Sequence, residues 1–300
     1  MGKKGLFVRD LTAKLCLGTV QFGMRYGVNN VLGRQPTDEE VFDVLEAALS
    51  AGVTTFDTAR AYGTAEELLG RFGLAARQVR IVSKLHPDIA ESEETVLAEL
   101  HKSLNCLNTD KIFCYMLHRA DDLKRGGIMT GMIKAKEMGL ADKIGVSVYE
   151  PSEAMEAVMH PLIDLIQVPY NILDHRLDVC GFFEQAKKNG KMIYARSAFL
   201  QGLLLMDPSA AEKRVSGSSV YVSRFQEAVQ REGYTSIEAA MLYVLLHPHI
   251  DGVVFGVDTA EQLWENVRLL QRAEQFLSCY KHLAGMFSDV PRDIVVPSLW

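Results

Sequence analysis

Eight short apolar runs recur along this chain, each followed by a longer amphipathic stretch, and this alternation constrains the fold more than any other feature. The runs are Leu15 to Thr19, Thr54 to Asp57, Val79 to Lys84, Ile112 to His118, Ile144 to Val148, Leu165 to Val168, Met192 to Ser197 and Gly252 to Val257. Each is short enough for a buried strand, bounded by Gly, Pro, Asp or Lys, and rich in Val, Ile, Leu and Phe. Helical patterns fill the gaps. Thr37-Asp38-Glu39-Glu40 has capping-box spacing ahead of Val41, Leu45, Ala48 and Leu49. Ser92 and Thr95 precede Val96, Leu100 and Leu104, and Pro151 opens a helix carrying Met155 and Val158. Glu238 to Leu246 and Glu261 to Leu270 continue the series. A strand–helix unit repeated in this way has one common closed solution, a parallel (β/α)8 TIM barrel, spanning residues 1–300 as a single domain. An open doubly wound sheet would place a Gly-x-Gly-x-x-Gly turn and a helix after the first strand. Gly18, Gly23 and Gly27 have the wrong spacing for that turn.

Two segments stand outside the rhythm. Residues 4–11 read as a short hairpin closing the barrel bottom. Gln201 to Ser218, with Pro208, Ser216, Gly217 and Ser218, reads as a long irregular loop on the face where barrel enzymes keep their sites.

Composition narrows the function. Of 300 residues 48% are hydrophobic and 23% charged, with a net charge of −6. That balance gives no electrostatic footprint for nucleic acid or anionic lipid. Five scattered cysteines without Cys-x-x-Cys spacing read as free thiols in a reducing, cytoplasmic setting. Arg9 and Asp10 interrupt the N-terminal apolar stretch, so neither a signal peptide nor a membrane span is expected. The implied partner is a small molecule, and nothing in the sequence fixes an oligomeric state.

Asp57 and Tyr62 follow the second run, Lys84 closes the third and His118 the fourth. Parallel strands of a barrel all end at one mouth, so an acid, a phenol, an amine and an imidazole converge there. These are the parts needed to give a proton to a carbonyl oxygen. An isolated tyrosine is a poor acid at neutral pH. The Lys84 ammonium would stabilise its phenolate and lower its pKa, Asp57 would hold Lys84 in place, and His118 would hydrogen-bond the same oxygen. None of the four can supply hydride, which calls for a nicotinamide cofactor. For an arbitrary Asp and Lys a structural ion pair would be the default, but Tyr62 and His118 at matching strand ends favour catalysis. A metal site built from His118, Asp57 and His86 is the poorer reading, because Lys84 would repel the cation and no His-x-His spacing exists.

The segment Asp57-Thr58-Ala59-x-x-Tyr62-Gly63, the strand-terminal Lys84 and Leu117-His118-Arg119 resemble the proton-transfer tetrad of the aldo-keto reductase family, in the same order. The likeness runs from about Leu15 to Asn266. It takes in Gly145-Val146-Ser147, Gln167-Val168-Pro169-Tyr170-Asn171, Gln201-Gly202-Leu203-Leu204 and Gly256 through Glu265-Asn266. The resemblance implies NAD(P)H-dependent reduction of an aldehyde or ketone, with Tyr62 as general acid. It implies that Ser147 and Gln167 bond the nicotinamide carboxamide. Gly256, Val257, Asp258 and Thr259 would cradle the adenosine phosphate, with Gln262, Glu265 and Asn266 around the adenine side. A helix N-terminus favours anions independently of any family.

Three departures matter. Val148 replaces the Asn that often follows the strand-five Ser. Arg196, in Ala195-Arg196-Ser197-Ala198, stands where an aromatic ring commonly stacks on the nicotinamide; a guanidinium can stack there too, or meet the pyrophosphate or an anionic substrate. No basic residues mark a 2′-phosphate and Asp258 would repel one, so NADPH is the family default and NADH the alternative. Gly23-Met24-Arg25-Tyr26-Gly27-Val28-Asn29 and the Ala-Arg-Ser segment resemble a subgroup from bacterial surface-sugar pathways, implying a sugar or nucleotide-sugar substrate. The rival functional class is a nicotinamide-binding regulatory or redox-sensing subunit with little turnover.

Overall fold

The computed structural model describes residues 3–27 and 32–300. Eight strands close into a parallel barrel in sequence order. They are β1 (Leu15–Gly18), β2 (Thr55–Asp57), β3 (Arg80–Lys84), β4 (Ile112–Leu117), β5 (Ala141–Ser147), β6 (Leu165–Pro169), β7 (Met192–Arg196) and β8 (Gly252–Phe255). β1 pairs with both β2 and β8, which closes the ring and leaves no unpaired edge.

Side chains alternate along each strand, and the alternation separates two cores. Phe56, Ile81, Tyr115, Leu117, Val146, Ile166, Val168 and Ile193 point outward into one large cluster under the helices. Cys16, Val82, Cys114, Met116, Leu165 and Tyr194 fill the interior as a second, smaller cluster. Full burial of each large aliphatic side chain contributes about 1.5–3 kcal/mol. Stepping two residues toward the mouth from Val82, Leu165 and Tyr194 gives Lys84, Gln167 and Arg196. The strand period therefore puts these polar groups above the apolar plug.

The helices start where their caps dictate. Thr37 and Glu40 form a reciprocal capping box ahead of helix Asp38–Ser50, and Ser92 caps Glu93–Leu107 through Thr95 N. Pro151 opens Pro151–Met159.

Two expectations need correcting. Residues 4–11 are not a hairpin but part of a helix, Lys3–Ala13. Phe7, Val8 and Leu11 have helical spacing and form its inward stripe, and neither Gly nor Pro lies between them to reverse the chain. The stretch 201–218 is also more ordered than expected. It holds a 3-10 segment, Leu200–Leu205, and a helix, Pro208–Arg214, with Asp207 accepting from the amides of Ser209 and Ala210. Asp followed by Pro is an N-cap with Pro in the first turn. The loop residues Val28 and Asn29 lie outside the described residues. Among the described residues no helix is long and apolar enough to cross a membrane.

Candidate active site

Asp57 and Lys84 meet inside the mouth. Lys84 Nζ donates to Asp57 Oδ1 over 2.6 Å and to the carbonyl of Thr58 over 3.1 Å. The other carboxylate oxygen, Oδ2, accepts from Gln167 Nε2 at 2.7 Å. Both charged side chains are nearly inaccessible, at 1% and 4% exposure. A buried ion pair persists only when its remaining hydrogen-bonding capacity is met, and here Thr58 and Gln167 meet it. Burial alone would pull the Lys84 ammonium down. Asp57, with Tyr62 behind it, outweighs that and holds the Lys84 pKa above the ordinary lysine value.

Tyr62 reaches this pair from the turn after β2. The turn is fixed by Tyr62 N donating to Ala59 O and Ala65 N donating to Tyr62 O, each at 3.0 Å. It packs backbone-to-backbone on the segment after β1. A Cβ on Gly23 would lie 1.7 Å from Tyr62 O, and one on Gly63, whose φ is +54°, would lie 2.2 Å from Gly23 O. Two glycines thus let the loops touch where any side chain would hold them apart. The ring centroid of Tyr62 lies 5.2 Å from Lys84 Nζ and 5.9 Å from the His118 ring, edge-on at 81°. The four tetrad residues are together.

The electrostatics differ from expectation in one respect. Burial pushes the Tyr62 phenol above its usual pKa of 10, while Lys84 draws it down and Asp57 pushes it up; the net direction is upward. Lys84 therefore moderates the rise rather than producing an acidic phenol. His118 is pulled down to about 3, first by burial and then by Lys84 and Arg196, so its imidazole is neutral at neutral pH. Its Nδ1 is buried with no partner among the described residues.

A cleft of about 300 Å³ runs from this corner over the ends of β7, β8 and β1. Of the residues named from sequence, Asp57, Tyr62, Gln167, Arg196, Gly256, Val257, Asp258, Gln262, Glu265 and Asn266 line it. Lys84, His118, Ser147 and Thr259 do not. Ser147 is buried and pairs in register with Gln167. Thr259 caps helix Ala260–Leu269, its hydroxyl accepting from Gln262 N at 3.3 Å. Gln262 Oε1 in turn accepts from Asp258 N at 2.7 Å. Arg196 donates to Val148 O and Ser197 Oγ, with its guanidinium carbon 4.2 Å from the Tyr149 ring centroid.

Gln21, Leu205 and Ile237 also line the cleft, and the sequence reading did not select them. Gln21, three residues past Gly18, packs where a Cβ on Gly256 would come within 2.2 Å of its amide. Its nearness to a strand end was the available signal. Ile237 projects from helix Ser236–Leu245, and its placement depends on how that helix packs.

The cleft suits a dinucleotide. Helix Ala260–Leu269 presents its N-terminus there, the positive end of its dipole. Asn266 lines the same wall, and its buried Oδ1 has no hydrogen-bond partner among the described residues.

The aldo/keto reductase family model matches residues 14–278. L-glyceraldehyde 3-phosphate reductase of Escherichia coli O157:H7 is 25% identical over 80% of this chain and 83% of its own length. The uncharacterized oxidoreductase YrpG of Bacillus subtilis is 23% identical over 97% and 94%. A solved Pseudomonas aeruginosa structure assigned to the aldo-keto reductases shares the fold, with a TM-score of 0.66 at 24% identity over 87% of this chain and 90% of that one. With the barrel, the match over most of its length and the converging polar mouth taken together, this chain belongs to the aldo/keto reductase family of oxidoreductases.

Proposed function

We propose that the protein reduces an aldehyde or ketone to an alcohol, with Tyr62 as the proton donor. The observation that carries this reading is the position of Tyr62: at the cleft, against the buried Lys84–Asp57 pair on one side and the neutral His118 on the other. A reduced nicotinamide bound in the cleft would supply the hydride to the carbonyl carbon.

The protein's own residues handle the proton. As the carbonyl carbon accepts the electron pair, negative charge builds on its oxygen, and Tyr62 transfers its hydroxyl proton there. The phenolate left behind faces the Lys84 ammonium, whose charge Asp57 secures. The raised phenol pKa keeps the proton in place across neutral pH, and Lys84 limits the cost of releasing it. His118, neutral and edge-on to the Tyr62 ring, suits a hydrogen bond that orients the substrate rather than a second proton transfer. Such general acid catalysis contributes about 100- to 10,000-fold.

For the coenzyme, Gln167 keeps its amide oxygen for the carboxamide while its nitrogen holds Asp57, and Ser147 stands beside it in register. The helix N-terminus at Thr259 and the backbone from Gly256 to Asp258 would receive phosphate, with Gln262, Glu265 and Asn266 near the adenine. Asp258 and Glu265 bring two carboxylates to that end, and among the described lining residues only Arg196 is cationic. A 2′-phosphate would be repelled, which favours NADH over the NADPH that is the family default.

Mixing purified protein with NADH or NADPH and a panel of aldehydes, and following coenzyme absorbance, tests the reading. Oxidation of coenzyme that depends on the aldehyde supports it. Tight coenzyme binding with no turnover on any carbonyl would sink it.

A further inference from the structure

Arg196 ends β7 in the inward register, and it is the one Lys or Arg among the described residues that line the cleft. Every other half-buried arginine among the described residues faces a carboxylate: Arg60, Arg125, Arg176, Arg224 and Arg272 all form ion pairs. Arg196 forms none. Its two hydrogen bonds go to neutral oxygens, Val148 O at 3.1 Å and Ser197 Oγ at 3.4 Å. A guanidinium has five N–H donors, so three remain after these two.

The side chain is also held in place. It stacks on Tyr149, 4.2 Å from ring carbon centroid to guanidinium carbon, and its two bonds fix the plane of the fork. The ordering cost of a long flexible side chain is thus met before any ligand arrives. Around it, the Lys84 charge is matched by Asp57, so Arg196 is the cation at this end of the cleft that no carboxylate among the described residues pairs. A planar, preorganised fork of this kind fits the two oxygens of a carboxylate or phosphate better than a point charge would.

We propose that Arg196 anchors an anionic group on the carbonyl substrate, so that the preferred substrates are aldehydes or ketones bearing a carboxylate or a phosphate monoester. This rests on the reductase reading and specifies its substrate class.

Two matched pairs test it: para-carboxybenzaldehyde against para-methylbenzaldehyde, and glyceraldehyde 3-phosphate against glyceraldehyde. For each, kcat/KM is measured with the full-length wild-type protein, Arg196→Met and Arg196→Lys, alongside the Kd for NADH from fluorescence quenching. In the wild type the charged member of at least one pair is expected to lead its neutral partner by about tenfold to a hundredfold, the range of a charge-assisted hydrogen bond. That ratio should fall toward one in Arg196→Met and recover in part in Arg196→Lys. The pair that responds identifies carboxylate or phosphate. Equal rates within both pairs would overturn the proposal, as would a ratio unmoved by Arg196→Met or a variant whose only defect is weaker NADH binding. Absence of turnover with all four compounds and with the whole aldehyde panel above would instead refute the reductase reading itself.

Discussion

Gln167 donates from Nε2 to Asp57 Oδ2 over 2.7 Å, so the strand-six amide is bonded to the carboxylate that anchors Lys84. The wall that would meet the coenzyme and the ion pair behind Tyr62 are therefore one hydrogen-bonded unit. Gln167→Ala leaves a buried carboxylate oxygen without its donor and should cost about 1–3 kcal/mol of stability. Gln167→Glu sets a second carboxylate against Asp57 and should cost more, about 3–5 kcal/mol, unless one of the two takes up a proton. Urea denaturation of the three proteins gives the order; a Gln167→Glu protein as stable as wild type would contradict it.

Tyr62→Phe removes the proton donor and little else. Turnover should fall by about a hundredfold or more, while the Kd for NADH stays within a few-fold of wild type. Stopped-flow kinetics and fluorescence titration measure the two quantities separately. Retained activity on a good substrate would remove Tyr62 from the proposed role.

Gly23→Ala tests how Tyr62 is placed. The new methyl would sit 1.7 Å from Tyr62 O and 2.7 Å from Ala65 N, both backbone atoms that cannot rotate away. The loop must move, and a displacement near 1 Å can cost about a hundredfold in rate. A folded Gly23→Ala protein, checked by circular dichroism, should lose kcat while its thermal midpoint drops. Normal kcat would show that the loop contact does not position the phenol.

The pH profile follows from the directions of two shifts. His118 is neutral until about pH 3 and Tyr62 keeps its proton beyond the usual phenol value of 10, so kcat/KM should be flat through pH 6.5 and fall only in alkali. Stability carries the opposite signature. The unfolded chain protonates an ordinary histidine near 6.5, whereas the folded chain refuses that proton until about 3. The unfolded state binds more protons in this window, so the contribution of His118 to stability falls as pH drops through it and is constant above it. His118→Gln should flatten that part of the curve of unfolding free energy against pH.

Asp258 should set coenzyme preference. With its carboxylate and that of Glu265 at the helix end of the cleft, NADH should bind about tenfold or more tighter than NADPH, a modest like-charge penalty at partly solvated sites. Asp258→Ser should narrow the gap. Calorimetric titration of both coenzymes reads it directly, and tighter binding of NADPH to the wild type would refute the assignment.

The linear order of residues was enough for the barrel. Short apolar runs bounded by Gly, Pro and charged residues read as buried strands, and their repetition with helices between, without the glycine spacing of an open doubly wound sheet, points to one closed arrangement. The places of Asp57, Lys84 and His118 were legible for the same reason, because a polar residue at the C-terminal end of an apolar barrel strand stands at the mouth. Other features depended on contacts between distant segments. That Gln167 holds Asp57, that Gly23 and Gly63 touch, that Gln21 fills the space beside Gly256, and that Arg196 finds Tyr149 but no acid are facts about pairs far apart in sequence. Local pattern carries no record of such pairings. The net rise of the Tyr62 pKa is of this kind as well: the sequence places a cation nearby, but only burial in the assembled mouth determines that desolvation outweighs it.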